Sequence, residues 1–132
     1  LCEQDAALVL QLKAVQARLQ ASMVKVERGD GVSLLRRLAA GSMQLVLLDP
    51  PFDSKLFESA LSAAALTIAP GGLIYLEAPK AWRDIDLQPL GLRVHRSGKA
   101  GAVHFHLLGK LEPVPAPVSD QPLQPAPDLP TA

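Results

Sequence analysis

Leu45-Val46-Leu47-Leu48-Asp49-Pro50-Pro51-Phe52 is the stretch whose reading decides the fold. Four consecutive apolar residues between turn signals suit a strand buried on both faces, as at the centre of a parallel sheet. Such a strand delivers Asp49 to its C-terminal end, where open α/β sheets place their ligands. Pro50 and Pro51 have fixed φ and no N–H, and Pro51 pushes Pro50 toward an extended conformation. The backbone therefore leaves the strand stiffly.

Outward from this stretch, strands and helices alternate. Upstream, Asp5 opens a helix whose apolar face is Leu8, Leu12, Val15 and Leu19. Residues 23–27 alternate like a strand. Asp30 caps a second helix over 32–40, which Gly41 ends. Downstream, Ser54 caps a third helix that buries Leu56, Phe57, Ala60, Leu61, Ala64 and Ile68. Pro70-Gly71-Gly72 stops that helix, and Leu73-Ile74-Tyr75-Leu76 is the next buried strand, with Tyr75 in the core. Residues 92–97 and 102–108 read as an antiparallel hairpin around Gly98-Lys99-Ala100-Gly101. The expected architecture is α/β: a parallel sheet with crossover helices, closed by an antiparallel hairpin. Residues 1–111 form this domain. Residues 112–132 carry seven prolines and little apolar bulk, and read as a disordered tail.

Composition sets outer bounds. The chain has 132 residues, 48 % of them hydrophobic, which suits one globular domain. No apolar run is long enough to span a bilayer. The single cysteine, Cys2, cannot form an internal disulfide, which fits a cytoplasmic setting. Formal net charge is zero, but Lys80, Arg83, Arg93, Arg96, Lys99 and Lys110 face only Asp84 and Asp86 in their region. That region is the candidate polyanion surface. His95, His104 and His106 lack a cysteine or carboxylate in the hairpin to complete a metal site, and read as exposed strand histidines. Trp82, between Lys80 and Arg83, reads as a rim aromatic covering the sheet edge, with stacking on a nucleotide as the alternative.

Asp49-Pro50-Pro51-Phe52 carries the chemistry. The lone pair of a base amino group is delocalised into its ring. Acceptors on both amino hydrogens, the Asp49 carboxylate and the Pro50 carbonyl, would favour the pyramidal nitrogen and aim its lone pair at an electrophile. Methyl transfer to such a nitrogen is an in-line displacement, so positioning supplies much of its rate. A carboxylate beside the developing ammonium adds electrostatic stabilisation. Phe52 can stack on a base drawn out of its helix. Asp-Pro-Pro alone is a common strand-ending turn. The apolar strand before it and the aromatic after it distinguish this occurrence.

The segment resembles the [D/N/S]-P-P-[Y/F/W] motif of amino-methylating methyltransferases. With Glu3 and Asp5 opening a helix, Gly29-Asp30 before the second helix, and the closing Val94-His95-Arg96-Ser97-Gly98-Lys99-Ala100-Gly101 hairpin, the chain resembles the bacterial 16S ribosomal RNA guanine-N2 methyltransferases over about residues 1–110. The resemblance implies a Rossmann-like methyltransferase domain with S-adenosylmethionine as cofactor. The partner it implies is ribosomal RNA or the small ribosomal subunit, met by a monomer in the cytoplasm.

It also implies roles for individual residues. Asp49, Pro50, Pro51 and Phe52 are catalytic. Glu3 holds the ribose hydroxyls, and Asp30, with Gly31 beside it and Asp49, completes the cofactor set. The charge pattern, apart from the resemblance, makes Lys80, Arg93, Arg96 and Lys99 the expected contacts to RNA phosphates. The family's first strand and its glycine-rich loop have no counterpart in this chain, so the resemblance is to the C-terminal part of the domain. A DNA adenine-N6 methyltransferase and a non-catalytic RNA-binding module without the cofactor half are the alternatives.

Overall fold

The computed structural model describes residues 1–112, so the reading of the Pro-rich tail lies outside the described residues. The chain opens with a two-stranded parallel sheet, β1 (Cys2–Glu3) beside β2 (Glu27–Arg28), bridged by α1 (Ala6–Arg18). Asp5 caps α1 as its sequence suggests, its Oδ1 accepting from the N–H groups of Ala7 at 2.8 Å and Leu8 at 2.9 Å. The buried stripe differs from the expected one. Val9 is buried, Leu12 and Gln16 are half-buried, and Leu8, Val15 and Leu19 are exposed. Periodicity finds an apolar stripe, but the surface beneath the helix selects the face. Here that surface is the small β1–β2 pair.

The strand expected over 23–27 shrinks to Glu27–Arg28, and Met23 stands 96 % exposed in a turn. A ladder extends only as far as its partner, and β1 offers two residues. Asp30 does cap α2 (Gly31–Arg37), accepting from the Ser33 N–H at 2.7 Å. This helix ends at Arg37 rather than Ala40 because Leu38 turns extended, at φ −71° and ψ 149°. Gly41, at φ +67°, then makes the turn, and its N–H donates to Leu66 at 3.0 Å.

The main sheet has β3 (Met43–Leu48), β4 (Ile68–Ala78), β5 (Leu92–Ala100) and β6 (Val103–Lys110) in the order β3-β4-β6-β5. β3 and β4 are parallel and joined through α3 (Phe57–Thr67); β6 runs antiparallel to both β4 and β5. Ser54 does not cap α3. Leu56 occupies that position without a side-chain bond, and the Ser54 hydroxyl is buried without a partner. Pro70-Gly71-Gly72 does not stop α3 either. The helix ends at Thr67, and the three residues form a bulge early in β4, between the pairs Met43–Ile68 and Leu45–Leu73. Glycine is required at 72, where a Cβ would lie 2.9 Å from the Ala69 carbonyl and 3.0 Å from that of Met43. The hairpin strands outrun their expected bounds and leave Gly101-Ala102 as a two-residue turn, with Gly101 at φ +59°.

One face of this sheet is covered. Val46, Ile74, Leu76, Ala78, Leu92 and Leu108 meet Leu61 and Ala64 of α3, Ile68 at the start of β4, and Leu87 of α4 (Asp84–Leu87). The opposite face is open. Leu45 is 53 % and Leu47 67 % exposed, and Leu73, Tyr75 and Leu107 are half-buried. β3 is thus an edge strand of the described sheet, covered on one side, and not the doubly buried central strand that its apolar run suggests. The run encodes an aversion to water on both faces but not which polypeptide covers the second. Tyr75 likewise belongs to the open face rather than the core. Among the described residues no helix is long and apolar enough to cross a membrane.

Candidate active site

Asp49 directly follows β3. Side chains alternate along a strand, so Leu45, Leu47 and Asp49 share the open face. Asp49 is exposed, Pro50 half-buried and Phe52 40 % exposed. The Pro51 carbonyl accepts from the Ser54 N–H at 2.9 Å and closes the turn, which leaves the Pro50 carbonyl outside it. The segment therefore presents a carboxylate, an adjacent carbonyl and an aromatic ring at the C-terminal edge of the sheet.

β4 supplies two residues that the sequence reading did not assign to the site. Leu47 pairs with Tyr75 and Leu48 with Leu76, where the ladder ends, so Asp49 and Glu77 are the next residues of the two strands. The Tyr75 hydroxyl donates to Glu77 Oε1 at 2.9 Å. That bond holds the Tyr75 pKa above its ordinary value, aided by burial and by the charges of Glu77 and Asp49. The signal was present as two matching patterns, L-x-L-x-D and L-x-Y-x-E, at the ends of neighbouring parallel strands. Only their register shows that they end together.

Glu3 and Asp30 form a second group. The Gly29 N–H donates to the Glu3 carbonyl at 3.0 Å, and Cys2 Sγ donates to the Gly29 carbonyl at 3.3 Å, so the ends of β1 and β2 lie side by side. Glu3 Oε1 accepts from the Asp5 N–H at 2.8 Å. Bonds from the Ser33 hydroxyl and N–H, then from the Val32 N–H and the charge of Arg36, hold the Asp30 carboxyl below its usual range against a small opposing effect of burial. Gly31 is the first residue of α2. The structure thus gathers Glu3, Asp30 and Gly31 on the small sheet, and Asp49, Tyr75 and Glu77 on the large one. α2 packs on α3 to link them, and Thr67 Oγ1 donates to the Leu35 carbonyl at 3.2 Å across that contact.

The basic residues do not form one cluster. Lys80 follows β4 at the Asp49 end, and Lys99 is near that end, opposite His104, itself opposite Ala78. Arg96 lies mid-sheet in the row of Leu107, Tyr75 and Leu47. Arg93 is in the row of Gly109 and Leu73, four residues along β4 from Glu77. That separation is ~13 Å along the strand.

Beyond β4, Lys80 Nζ sits 5.0 Å from the Trp82 ring centroid, and Trp82 packs on Phe57 with centroids 6.4 Å apart. The Trp82 backbone N–H donates to His106 Nε2 at 3.0 Å. This makes His106 the Nδ1–H tautomer, facing the Leu76 carbonyl at 3.4 Å. His106 is buried, His104 half-buried and His95 exposed, so the expectation of three exposed histidines holds only for His95. Backbone pairing carried His106 onto the covered face. Among the described residues no group of three metal-ligating side chains occurs.

Burial pushes the His106 pKa down, and the nearby charge of His104 adds to this while the Leu76 carbonyl opposes it. A folded-state value below the unfolded one means that the unfolded chain binds the extra proton. Stability is then full above the unfolded value of about 6.5 and is lost as pH falls through the folded value. Trp82, the single tryptophan, reports this event. Its emission is expected to shift red on acidification in the wild type. In His106→Gln, whose amide oxygen accepts the same N–H without titrating, the shift should vanish. An identical titration in both proteins would assign the transition to another group.

The comparisons with known proteins bear on the family and the fold. The family model described as Conserved hypothetical protein 95 matches residues 1–109. Similar solved structures include yhhF of Escherichia coli, which carries a methyltransferase designation, at 27 % identity and TM-score 0.69. The match covers 83 % of this chain and 60 % of the Escherichia coli protein. A Haemophilus influenzae protein designated a methylase matches at 28 % identity and TM-score 0.67, over 84 % of this chain and 71 % of its own. TrmN of Thermus thermophilus shares the fold at 20 % identity and TM-score 0.65, over 83 % of this chain and 35 % of its own. No curated protein matches the chain.

Proposed function

The chain belongs to the family described as Conserved hypothetical protein 95 and has the Rossmann-like methyltransferase fold, and from that premise we propose that it carries the base-handling part of an S-adenosylmethionine-dependent methyltransferase. Its acceptor is the exocyclic amino nitrogen of a guanine in 16S ribosomal RNA, and its setting the cytoplasm. The observation that carries this reading is the exposed Asp49-Pro50-Pro51-Phe52 segment at the C-terminal end of β3, facing the open side of the sheet.

The residues present fit the adenosine half of the cofactor. Glu3 at the end of β1 and Asp30 just past β2 are carboxylates, with the acceptor capacity that hydroxyl and amino donors require. S-adenosylmethionine, when bound, supplies an electrophilic methyl group. The protein's own part is orientation. Asp49 and the Pro50 carbonyl each take one amino hydrogen, Phe52 stacks on the extruded base, and the Asp49 carboxylate takes up the proton that the alkylated nitrogen sheds.

The test is incorporation of labelled methyl into deproteinised 16S RNA and into small subunits by the natural full-length protein, with the product identified as a nucleoside. N2-methylguanosine is the expected product. N6-methyladenosine, or salt-dependent RNA binding with no transfer, would replace this reading. Binding itself offers a second check. Replacing Lys80 and Lys99 together, at the Asp49 end, is expected to flatten the dependence of log affinity on log salt by roughly 1.4 to 1.8. Arg93→Ala, at the far end, should change that slope less than either lysine. Equal effects from all three would indicate a diffuse field in place of a docked phosphate track.

A further inference from the structure

Guanine and adenine both offer an amino group, but the next ring atom differs. In guanine the amino nitrogen N2 adjoins N1–H, a donor. In adenine the amino nitrogen N6 adjoins N1, a bare acceptor. A site that only grips an amino group treats both alike. A site with a second fixed acceptor beside the first does not.

The parallel register of β3 and β4 provides that second acceptor. Continued one residue past Leu48–Leu76, it sets Glu77 beside Asp49 on the same open face. Adjacent strands lie about 4.8 Å apart, close enough for side chains that share a face to converge on one base edge. Glu77 is half-buried, and the Tyr75 hydroxyl holds its Oε1 at 2.9 Å. The other oxygen, Oε2, keeps its acceptor capacity. Neither carboxylate is neutralised in an ion pair: among the described residues the one salt bridge is Arg83–Asp86, on the α4 side. An ionised carboxylate only accepts, so it pairs with N1–H of guanine and repels the N1 lone pair of adenine.

Resting on the acceptor-base reading above, we infer that Glu77 is the residue by which the site selects guanine, accepting N1–H while Asp49 and the Pro50 carbonyl hold the neighbouring amino group. Tyr75 is its positioning residue. The hydroxyl fixes the rotamer of Glu77 without supplying a charge that would cancel its preference. Phe52 stacks on any base and contributes no choice between them.

2-Aminopurine separates the two halves of this recognition. It keeps the amino group of guanine on the same carbon and presents a bare N1. The experiment uses the full-length protein and target RNA with guanosine or 2-aminopurine at the methylated position. It measures kcat/KM for each, together with the fluorescence of 2-aminopurine on docking. The wild type is expected to prefer guanosine by roughly 10²-fold or more, as sites built to hydrogen-bond a donor reject analogues lacking it. Glu77→Gln can turn its amide N–H toward a bare N1, and should bring the preference below about tenfold while docking 2-aminopurine more tightly. Tyr75→Phe should fall between the two.

If wild type and Glu77→Gln discriminate equally, Glu77 does not read the base, and the acceptor-base reading stands without it. If the wild type transfers no methyl to guanosine at all, that reading fails and this inference falls with it. Glu77→Gln is nearly isosteric, so a folding defect, checked by circular dichroism, is not expected. A Glu77→Gln protein that binds and methylates guanosine normally yet still excludes 2-aminopurine also overturns the assignment.

Discussion

Asp49→Ala is expected to lower methyl transfer by roughly 10²–10³-fold in the full-length protein, the scale of losing one group aimed at charge that develops in the transition state. Cofactor affinity should stay close to that of the wild type. The reason lies in how the two sheets divide the acids. Glu3 and Asp30 sit at the ends of β1 and β2, tied to one another through Gly29. On the proposed reading they address the ribose and adenine of the cofactor, which do not change during reaction. On the same reading Asp49, directly after β3, addresses the amino nitrogen, whose charge does change. Its loss therefore strikes kcat more than ground-state binding.

Glu3→Ala should do the opposite, raising the cofactor concentration needed with a smaller loss at saturation. Calorimetric titration of cofactor beside a labelled-methyl assay separates the two. Full turnover by Asp49→Ala would reduce the Asp-Pro-Pro-Phe segment to a strand-ending turn. The proposed mechanism would go with it.

Leu76→Ala is the expected severe lesion of stability, at about 2–5 kcal/mol. Leu76 is fully buried on β4, between Leu48 of β3 and His106 of β6, and belongs to a single small core. A domain of this size has a total stability of roughly 5–15 kcal/mol, so the loss is a large share of it. Leu47→Ala, next on the neighbouring strand but 67 % exposed on the open face, should stay within about 0.5 kcal/mol. Urea denaturation followed by circular dichroism compares the two. A large cost at Leu47 would mean that the open face is covered in solution. A small cost at Leu76 would mean that the core relaxes around the cavity.

Leu76 also separates Tyr75 from Glu77, which ties this lesion to the site. Side chains on the two faces of a strand share one backbone. A shift of β4 that fills the cavity would move Glu77 relative to Asp49.

The first three helices, the parallel β3–β4 unit, the antiparallel hairpin and the Asp49 motif were legible in the sequence, because each rests on local chemistry, whereas β1 and α4 were too short to leave a signal. Apolar runs, helix caps such as Asp5 and Asp30, and proline or glycine at strand ends act within a few residues of themselves. What tertiary structure alone decided is which of these local pieces face one another. α1 turned its Val9 side inward because the β1–β2 pair was what it met. Pro70-Gly71-Gly72 became a bulge because β3 offered a partner to the residues before and after it. His106 went into the core and Tyr75 to the open face because strand pairing assigns alternate residues to opposite sides, and a one-residue change of register would have exchanged them. That Asp49 and Glu77 follow the last paired residues of β3 and β4 was invisible for the same reason. The two acids are 28 positions apart in sequence, and the ladder that ends just before them is made by backbone atoms that every residue shares.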